Sequence, residues 1–362
     1  MFAPLSAPGN LRLRSTFTAY APHDLLHGIL KHVSRSFYLT LNVLPEGVRD
    51  QMGLAYLFAR AADTIADTDL IDRDQRLKYL QQFRMQFASP EIHWEDLREM
   101  QAALAPHQMD SAESILLQRL EDCFKLYETC SAGDRMRIQW LMDVLPRGME
   151  MDLTRFPGQS AADLTALATL DELDQYTYYV AGCVGEFWTR MVCAHRPAMS
   201  RWDTEKMSAI GVRFGKGLQL TNILKDIGRD LHHGRCYVPE PLLSAAGLTP
   251  ADLLDGRRSL PLFRPVLSQL IKLAMQHLDQ GWIYTISIPG FEIRQRLACM
   301  WPILLAGETL KRVSASPDIL NPAVNVKAPR TTVYRVMALT ILSGANGYVA
   351  TAYWNQLKKS FS

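Results

Sequence analysis

Along most of this chain apolar residues return every three or four positions, the spacing that places them on one face of an α-helix. Ile115, Leu116, Leu120, Phe124 and Tyr127 form one such stripe, and Met136–Val144, Leu164–Gly182 and Arg213–Asp230 read the same way. Tyr56-Leu57-Phe58-Ala59 leads into Arg60–Asp67 without a glycine or proline. Turn residues punctuate the pattern at Ser89-Pro90, Pro146-Arg147-Gly148, Pro157-Gly158 and Pro239-Glu240-Pro241. Thr249-Pro250-Ala251-Asp252 predicts a helix with a threonine cap and proline in its first turn. Ile286–Gly290 reads as a loop, and Glu292–Leu310 as a helix kinked at Pro302. Alternating strand patterns are scarce, and neither a short repeat nor a low-complexity linker divides the chain. The pattern predicts one all-α domain over 34–357 behind a partly irregular extension, 1–33.

Two stripes break the apolar rule. Asp63 and Asp67 lie four residues apart, which on a helix stacks them one turn apart with Tyr56 and Arg60 on the same face. Asp226 and Asp230 repeat the spacing, and their stripe runs back through Asn222 to Gln219. Phe214, Leu218, Leu220, Ile223 and Leu224 mark that second helix as mostly buried. Buried polar groups require partners, and stacked carboxylates repel unless a cation lies between them. An all-oxygen ligand set suits magnesium, whereas zinc would call for histidine or cysteine. The neighbouring His232-His233 reads as structural. Carboxylates cannot hold a diphosphate directly, because both are anionic; magnesium can bridge them and stabilise the leaving group. Arginine and lysine would complete the clamp. Apolar helices around such a centre would hold a hydrocarbon tail and keep water from a carbocation, which describes ionisation of an allylic diphosphate.

Composition narrows the field further. With 39 Lys and Arg against 37 Asp and Glu, the net charge of +2 offers no basic face for nucleic acid. Cys123, Cys130, Cys183, Cys193, Cys236 and Cys299 form no CxxC and read as thiols of a reducing compartment. No secretory signal opens the chain, so a cytoplasmic location is expected. Val336–Gln356 carries no charge and is nearly long enough to span a bilayer. Its polar residues and Gly344 and Gly347 point instead to a packed helix, with at most peripheral contact at the inner membrane face, serving product release.

The motifs together resemble the squalene and phytoene synthase family, from about Ser34 onwards. His32-Val33-Ser34-Arg35-Ser36-Phe37 is similar to its opening element, and Tyr56–Asp63 leads into its first aspartate motif. Tyr176–Gly185 resembles the central tyrosine element, and Gln219–Asp230 the second aspartate motif, with Gly234-Arg235 and Pro239 following in order. The resemblance implies an isoprenoid-synthase helical bundle around a central cavity, with the two motifs facing each other. Asp63, Asp67, Asp226 and Asp230 would hold Mg2+, with Asn222 as a further ligand. Ser34, Arg35, Ser36, Phe37, Gln219, Lys225 and Arg235 would lie at the diphosphates. Tyr56, Arg60, Tyr176 and Tyr179 would form the catalytic surface, with Tyr176 steering or accepting a proton. Many relatives carry an acid where Ala66 and Arg229 stand here, which leaves the number of metal ions open.

Within that family three products compete. Each path begins by joining two prenyl diphosphates into a cyclopropyl diphosphate; squalene then needs hydride from NADPH, while dehydrosqualene and phytoene need only proton loss. No GxGxxG follows a strand, so no Rossmann module is indicated. Asn325–Arg330 resembles the basic flap of squalene synthases, with Lys327 and Arg330 as candidate nucleotide-phosphate contacts. The expectation is therefore head-to-head condensation of farnesyl diphosphate to squalene with Mg2+ and NADPH. Dehydrosqualene or phytoene formation and a non-catalytic lipid-binding or scaffold role stand as alternatives. Oligomeric state is not readable from the sequence.

Overall fold

In a computed structural model, residues 24–34, 37–68, 70–344 and 347–361 are described. They form helices almost throughout, in agreement with the all-α expectation. Residues 1–23 of the expected extension lie outside the described residues, while Asp24–Val33 is helical and buries Leu25, Leu26, Leu30 and Val33. The helices pack around two apolar clusters, and Val43 and Phe214 touch both.

The helix of the first aspartate motif, Arg49–Ala66, is anchored through Phe58, which meets Phe87 at 4.9 Å and Phe124 at 4.8 Å between ring centroids. At its C-terminus the buried Arg76 donates to the Ala66 carbonyl at 3.0 Å, placing a cation at the negative end of the helix dipole. The helix of the second motif, Thr204–His232, runs against Gly256–Ser287 on one side and Cys183–His195 on the other. It approaches the latter through bare backbone. A Cβ on Gly185 would lie 1.9 Å from the Gly211 carbonyl oxygen, and one on Gly215 would lie 2.1 Å from that of Ala181. Just before this crossing Tyr178–Gly182 forms a single π-helical turn.

Several predicted boundaries move. Leu164–Thr169 is not helical: Thr165–Ala166 pairs in parallel with Arg235–Cys236, Thr165 opposite Arg235. The reason lies in the cap. Thr169 Oγ1 accepts from the Glu172 amide at 3.1 Å, and Glu172 reaches back to the Ala168 amide at 2.6 Å, so the helix can start only at Leu170. Thr249–Asp252 opens only a 3-10 turn, Ala251–Leu254. The long helix begins behind Asp255, whose carboxylate accepts from the Arg258 amide at 3.4 Å. That helix runs through Ile286 to Ser287, leaving a shorter loop than predicted, and the Ile293–Ala315 helix runs on through Pro302. The uncharged C-terminal run divides into Arg330–Leu342 and Gly347–Lys358, because Gly344 takes a left-handed conformation (φ +61°) that stops the first helix. Among the described residues no helix is long and apolar enough to cross a membrane. The six cysteines are free thiols, and Cys123, Cys183, Cys236 and Cys299 are buried.

The glycine crossing makes a direct prediction. Gly185→Ala forces two backbones apart and should cost about 1–3 kcal/mol. It would be read as a lower denaturation midpoint at unchanged slope, and an unchanged midpoint would mean that the helices are not held this close.

Candidate active site

Both polar stripes start at one cavity and leave it side by side. Tyr56 from the first, and Gln219 and Asn222 from the second, line a cavity of about 380 Å³ whose other walls are largely apolar. Leu141, Leu145, Val180, Phe187 and Phe214 form its sides, and Tyr284, Cys299 and Pro302 close it away from the acids. Phe37 and Tyr56 stack at its edge with ring centroids 5.4 Å apart. One helical turn or more outward from these lining residues come the four aspartates.

On the first helix Arg60 is held between Asp63 and Glu113 by ion pairs to both. The Asp63 side chain is 39% exposed, yet enough protein surrounds its carboxylate to desolvate it. That desolvation, then the charge of Asp67, raises its pKa well above the usual carboxylate range against the pull of Arg60. On the second helix Lys225 lies 2.8 Å from Asp226 and donates to the Asn222 side-chain oxygen at 3.2 Å. Arg229, whose side chain is largely exposed, pairs with Asp226 at 3.2 Å. Asp230 is pushed up to about 6, first by burial and then by Asp226. The adjacent histidines are used inside the helix, as expected: His232 Nδ1 bonds the Gly228 carbonyl at 2.9 Å and His233 Nδ1 that of Arg229 at 2.8 Å.

Arg235, fixed by the short strand pair, links the two stripes. Its guanidinium lies 4.0 Å from Asp67, and its charge also acts on Asp230 and on a third acid, Asp152. Asp152 accepts hydrogen bonds from the hydroxyls of Tyr176 and Tyr237, each at 3.1 Å, beneath their rings stacked at 4.8 Å. Burial pushes Asp152 up to about 7, although Arg235 and both hydroxyls favour its charged form. Burial and the Asp152 charge raise Tyr176 well above an ordinary phenol, so its hydroxyl stays protonated.

The remaining candidates are less central. Arg35 and Ser36 lie outside the described residues. Ser34 is buried, its hydroxyl donating to the Leu30 carbonyl at 2.5 Å. The π-helical turn presents Val180 and Ala181 to the cavity, while the Tyr179 hydroxyl accepts from Gln175 at 3.2 Å. Lys327 and Arg330 are exposed on either side of an irregular segment and helix start, beyond the buried Val326. The pattern of the sequence did not disclose Asp152, Tyr237 or Glu113. Tyr237 sits between Arg235 and Pro239 and had that one positional signal; the two acids lie on ordinary amphipathic helices.

The squalene/phytoene synthase family profile matches residues 30–332. The chain belongs to the squalene/phytoene synthase family. Its relatives in that family include the presqualene diphosphate synthase of Rhodopseudomonas palustris, 31% identical over 67% of this chain and 71% of that protein. The squalene synthase of Schizosaccharomyces pombe is 25% identical over 83% of this chain and 61% of its own length. Maize phytoene synthase 3 is 30% identical over 63% of this chain, a match that spans 45% of the maize protein. The chain thus spans well under two thirds of several curated relatives. The family fold is shared with the solved structure of TcSQS with the ligand E5700, at a TM-score of 0.73 and 21% identity, over 94% of this chain and 92% of that one. It is shared also with squalene synthase HpnC from Alicyclobacillus acidocaldarius, at 0.55 and 19%, over 83% and 95%.

Asp152 offers a test by pH. A carboxyl whose folded pKa is raised supports the fold below its unfolded pKa and loses that contribution as pH rises through the folded value. Asp152→Asn carries no charge, keeps one acceptor oxygen for one tyrosine hydroxyl, and turns an amide N–H towards the other, which can accept it. Without divalent ions, wild type should therefore lose about 2–4 kcal/mol relative to the variant between roughly pH 4 and 7. The measurement is denaturant midpoint against pH; a difference that stays flat would show that no charge is being buried.

Proposed function

We propose that this protein condenses two allylic prenyl diphosphates head to head through a cyclopropyl diphosphate, with farnesyl diphosphate as substrate and squalene as product. One observation carries the reading. One aspartate of each pair, Asp67 and Asp230, comes under the charge of the same Arg235, a helical turn or more beyond Tyr56, Gln219 and Asn222 in the wall of a single largely apolar cavity.

The acids fit divalent magnesium by chemistry and by charge. They are hard oxygen donors, and Asp63 and Asp230 have raised pKa values because burial and a like-charged neighbour leave their charge under-compensated. Among the described residues no three of His, Cys, Asp and Glu gather at one point, so each pair would offer two oxygens' worth of ligation and leave room for diphosphate and water. Bound there, magnesium would neutralise the diphosphate and stabilise it as a leaving group. Asp63, Asp67, Asp226 and Asp230 would hold it, with Asn222 beside them.

The chain's own groups do the rest in this reading. Lys225 and Arg235 face the diphosphates as cations, and Arg60, already shared between Asp63 and Glu113, fixes the orientation of Asp63. The apolar walls shield an allylic cation from water, and the stacked faces of Phe37 and Tyr56 offer it π-electron density. Tyr176, kept neutral, serves as a donor and positioning group. Asp152, poised near neutrality, is the better acceptor for a proton released nearby.

Reduction by NADPH is the finer part of the proposal. Lys327 and Arg330 are exposed and form no ion pair among the described residues, but nothing around them builds a nucleotide cradle, so no reductive step is derived from them. The 31% identity to a presqualene diphosphate synthase favours a second reading, in which the reaction stops at the cyclopropyl diphosphate.

Product analysis by mass separates these readings. With farnesyl diphosphate and Mg2+, squalene should form only when NADPH is present. Dehydrosqualene in both reactions, or presqualene diphosphate as the end point, would replace squalene as the product. Asp63→Asn and Asp226→Asn should each lower turnover about a hundredfold or more, with helical content intact. Turnover equal to wild type in either variant would rule out the paired-acid mechanism.

A further inference from the structure

A cavity of about 290 Å³ lies among the helices Ile293–Ala315, Arg330–Leu342 and Gly347–Lys358, and it shares no lining residue with the reaction cavity. Glu308 lines it and is only 7% exposed. A buried carboxylate is costly unless its oxygens find partners. Here one oxygen takes everything: Oε1 accepts from Arg335 at 2.8 Å and from the Tyr353 hydroxyl. Burial, then Glu308, pushes Tyr353 up to about 12, so that hydroxyl keeps the proton it donates. The other oxygen, Oε2, has no hydrogen-bond partner among the described residues, and it is not sealed from the cavity.

The rim carries the opposite charge. Lys311 forms no ion pair among the described residues, and Arg335 spends only Nη2 on Glu308 and Tyr353, which leaves Nε and Nη1. Gln356 and Ser360 add neutral hydrogen-bonding groups. One acid against two bases gives the cavity an excess of positive charge. Several donors therefore face the space around a single unmatched acceptor. A bare anion would satisfy the donors and leave Oε2 unmet, while a free cation would satisfy Oε2 against the excess charge. A molecule that joins an oxyanion to a hydrogen-bond donor answers both demands. The cavity has the volume of roughly ten waters at about 30 Å³ each, room for a ligand of about as many non-hydrogen atoms.

We propose that this cavity binds a small hydroxylated oxyanion, with its phosphate or carboxylate on Lys311 and Arg335 and a hydroxyl donating to Glu308 Oε2. Such an occupant would brace the two C-terminal helices against Ile293–Ala315. Nearer its N-terminus that helix carries Ala298, Cys299 and Pro302 into the wall of the reaction cavity. One end of the element would thus be held by the ligand while the other lines the reaction cavity. The binding rests on the C-terminal cavity alone, not on the reaction proposed above.

Isothermal titration calorimetry of the full chain supplies the test, without divalent ions and at about pH 8, where a phosphate monoester has lost both protons. Glycerol phosphate and glycerate carry the two required groups. Propyl phosphate and propionate keep the oxyanion without a hydroxyl, and glycerol keeps hydroxyls alone. Glycerol phosphate or glycerate should bind about tenfold or more tighter than its own hydroxyl-free analogue, and glycerol should give no heat. Which of the two binds tells phosphate from carboxylate. Lys311→Glu, at an exposed position, should weaken that binding about tenfold or more with circular dichroism unchanged. Glu308→Gln should narrow the preference for the hydroxylated ligand; if it fails to fold, the Lys311 variant and the analogues still decide. No heat from any ligand, or equal affinity with and without the hydroxyl, overturns the inference, because Oε2 then meets water alone. So does binding that is lost in Lys225→Ala and kept in Lys311→Glu, since the diphosphate site would then be the one occupied.

Discussion

Like charges crowded against a cavity that excludes water set the terms for the rest of this molecule. Asp63 lies in the last turn of one helix and Asp67 caps it, Asp226 and Asp230 lie on another, and Asp67 and Asp230 come under the charge of the same Arg235. In open water such repulsion would be slight; where protein replaces solvent it grows several-fold. The fold answers with cations graded in position: Arg60 on the first helix, Lys225 and Arg229 on the second, and Arg235 from the strand pair between them. These soften the repulsion without abolishing it, which is why Asp63 and Asp230 keep raised pKa values.

Repulsion of this kind would normally be relieved by the helices drifting apart. Packing prevents that. The first helix is wedged by Phe58 into a nest of aromatic rings and held at its end by Arg76. The second is locked by backbone-to-backbone contact at Gly185, Gly211 and Gly215. With the helices held in place, the repulsion shows itself as a raised affinity of Asp63 and Asp230 for protons. In that sense the glycine seam, about three helical turns before Asp226, is part of the same device as the aspartates.

The sequence made the helices and the acid stripes readable because both are local regularities. A three-to-four spacing survives whatever the tertiary fold does: Asp63, Asp226 and Asp230 lie in helices, and Asp67 stands one residue past the end of the first as its cap. What stayed hidden was set by distant partners. Asp152 is one acid on an amphipathic helix until Tyr176 and Tyr237 arrive from elsewhere in the chain. Glu113 acquires meaning only beside Arg60. The Leu164–Thr169 stretch has helical periodicity, yet the Thr169 cap and the partner strand at Arg235 win, because the backbone there satisfies its hydrogen bonds across the sheet rather than along a helix. The family resemblance makes Ser34 a ligand contact, while locally its hydroxyl already donates to the Leu30 carbonyl.

The π-helical turn at Tyr178–Gly182 carries a consequence for how this chain can vary. Such a turn holds one residue more than a regular turn, and each helical residue is worth roughly 100° of rotation. Deleting that one extra residue would let an ordinary helix close with its flanks nearly in register, whereas a deletion in the regular turn before it would swing everything upstream by that angle and carry the Tyr176 hydroxyl off Asp152. The wide turn is therefore where a one-residue change in length can be absorbed, while the regular turns on either side, Leu170–Thr177 and Cys183–His195, hold the register that keeps Tyr176 on Asp152.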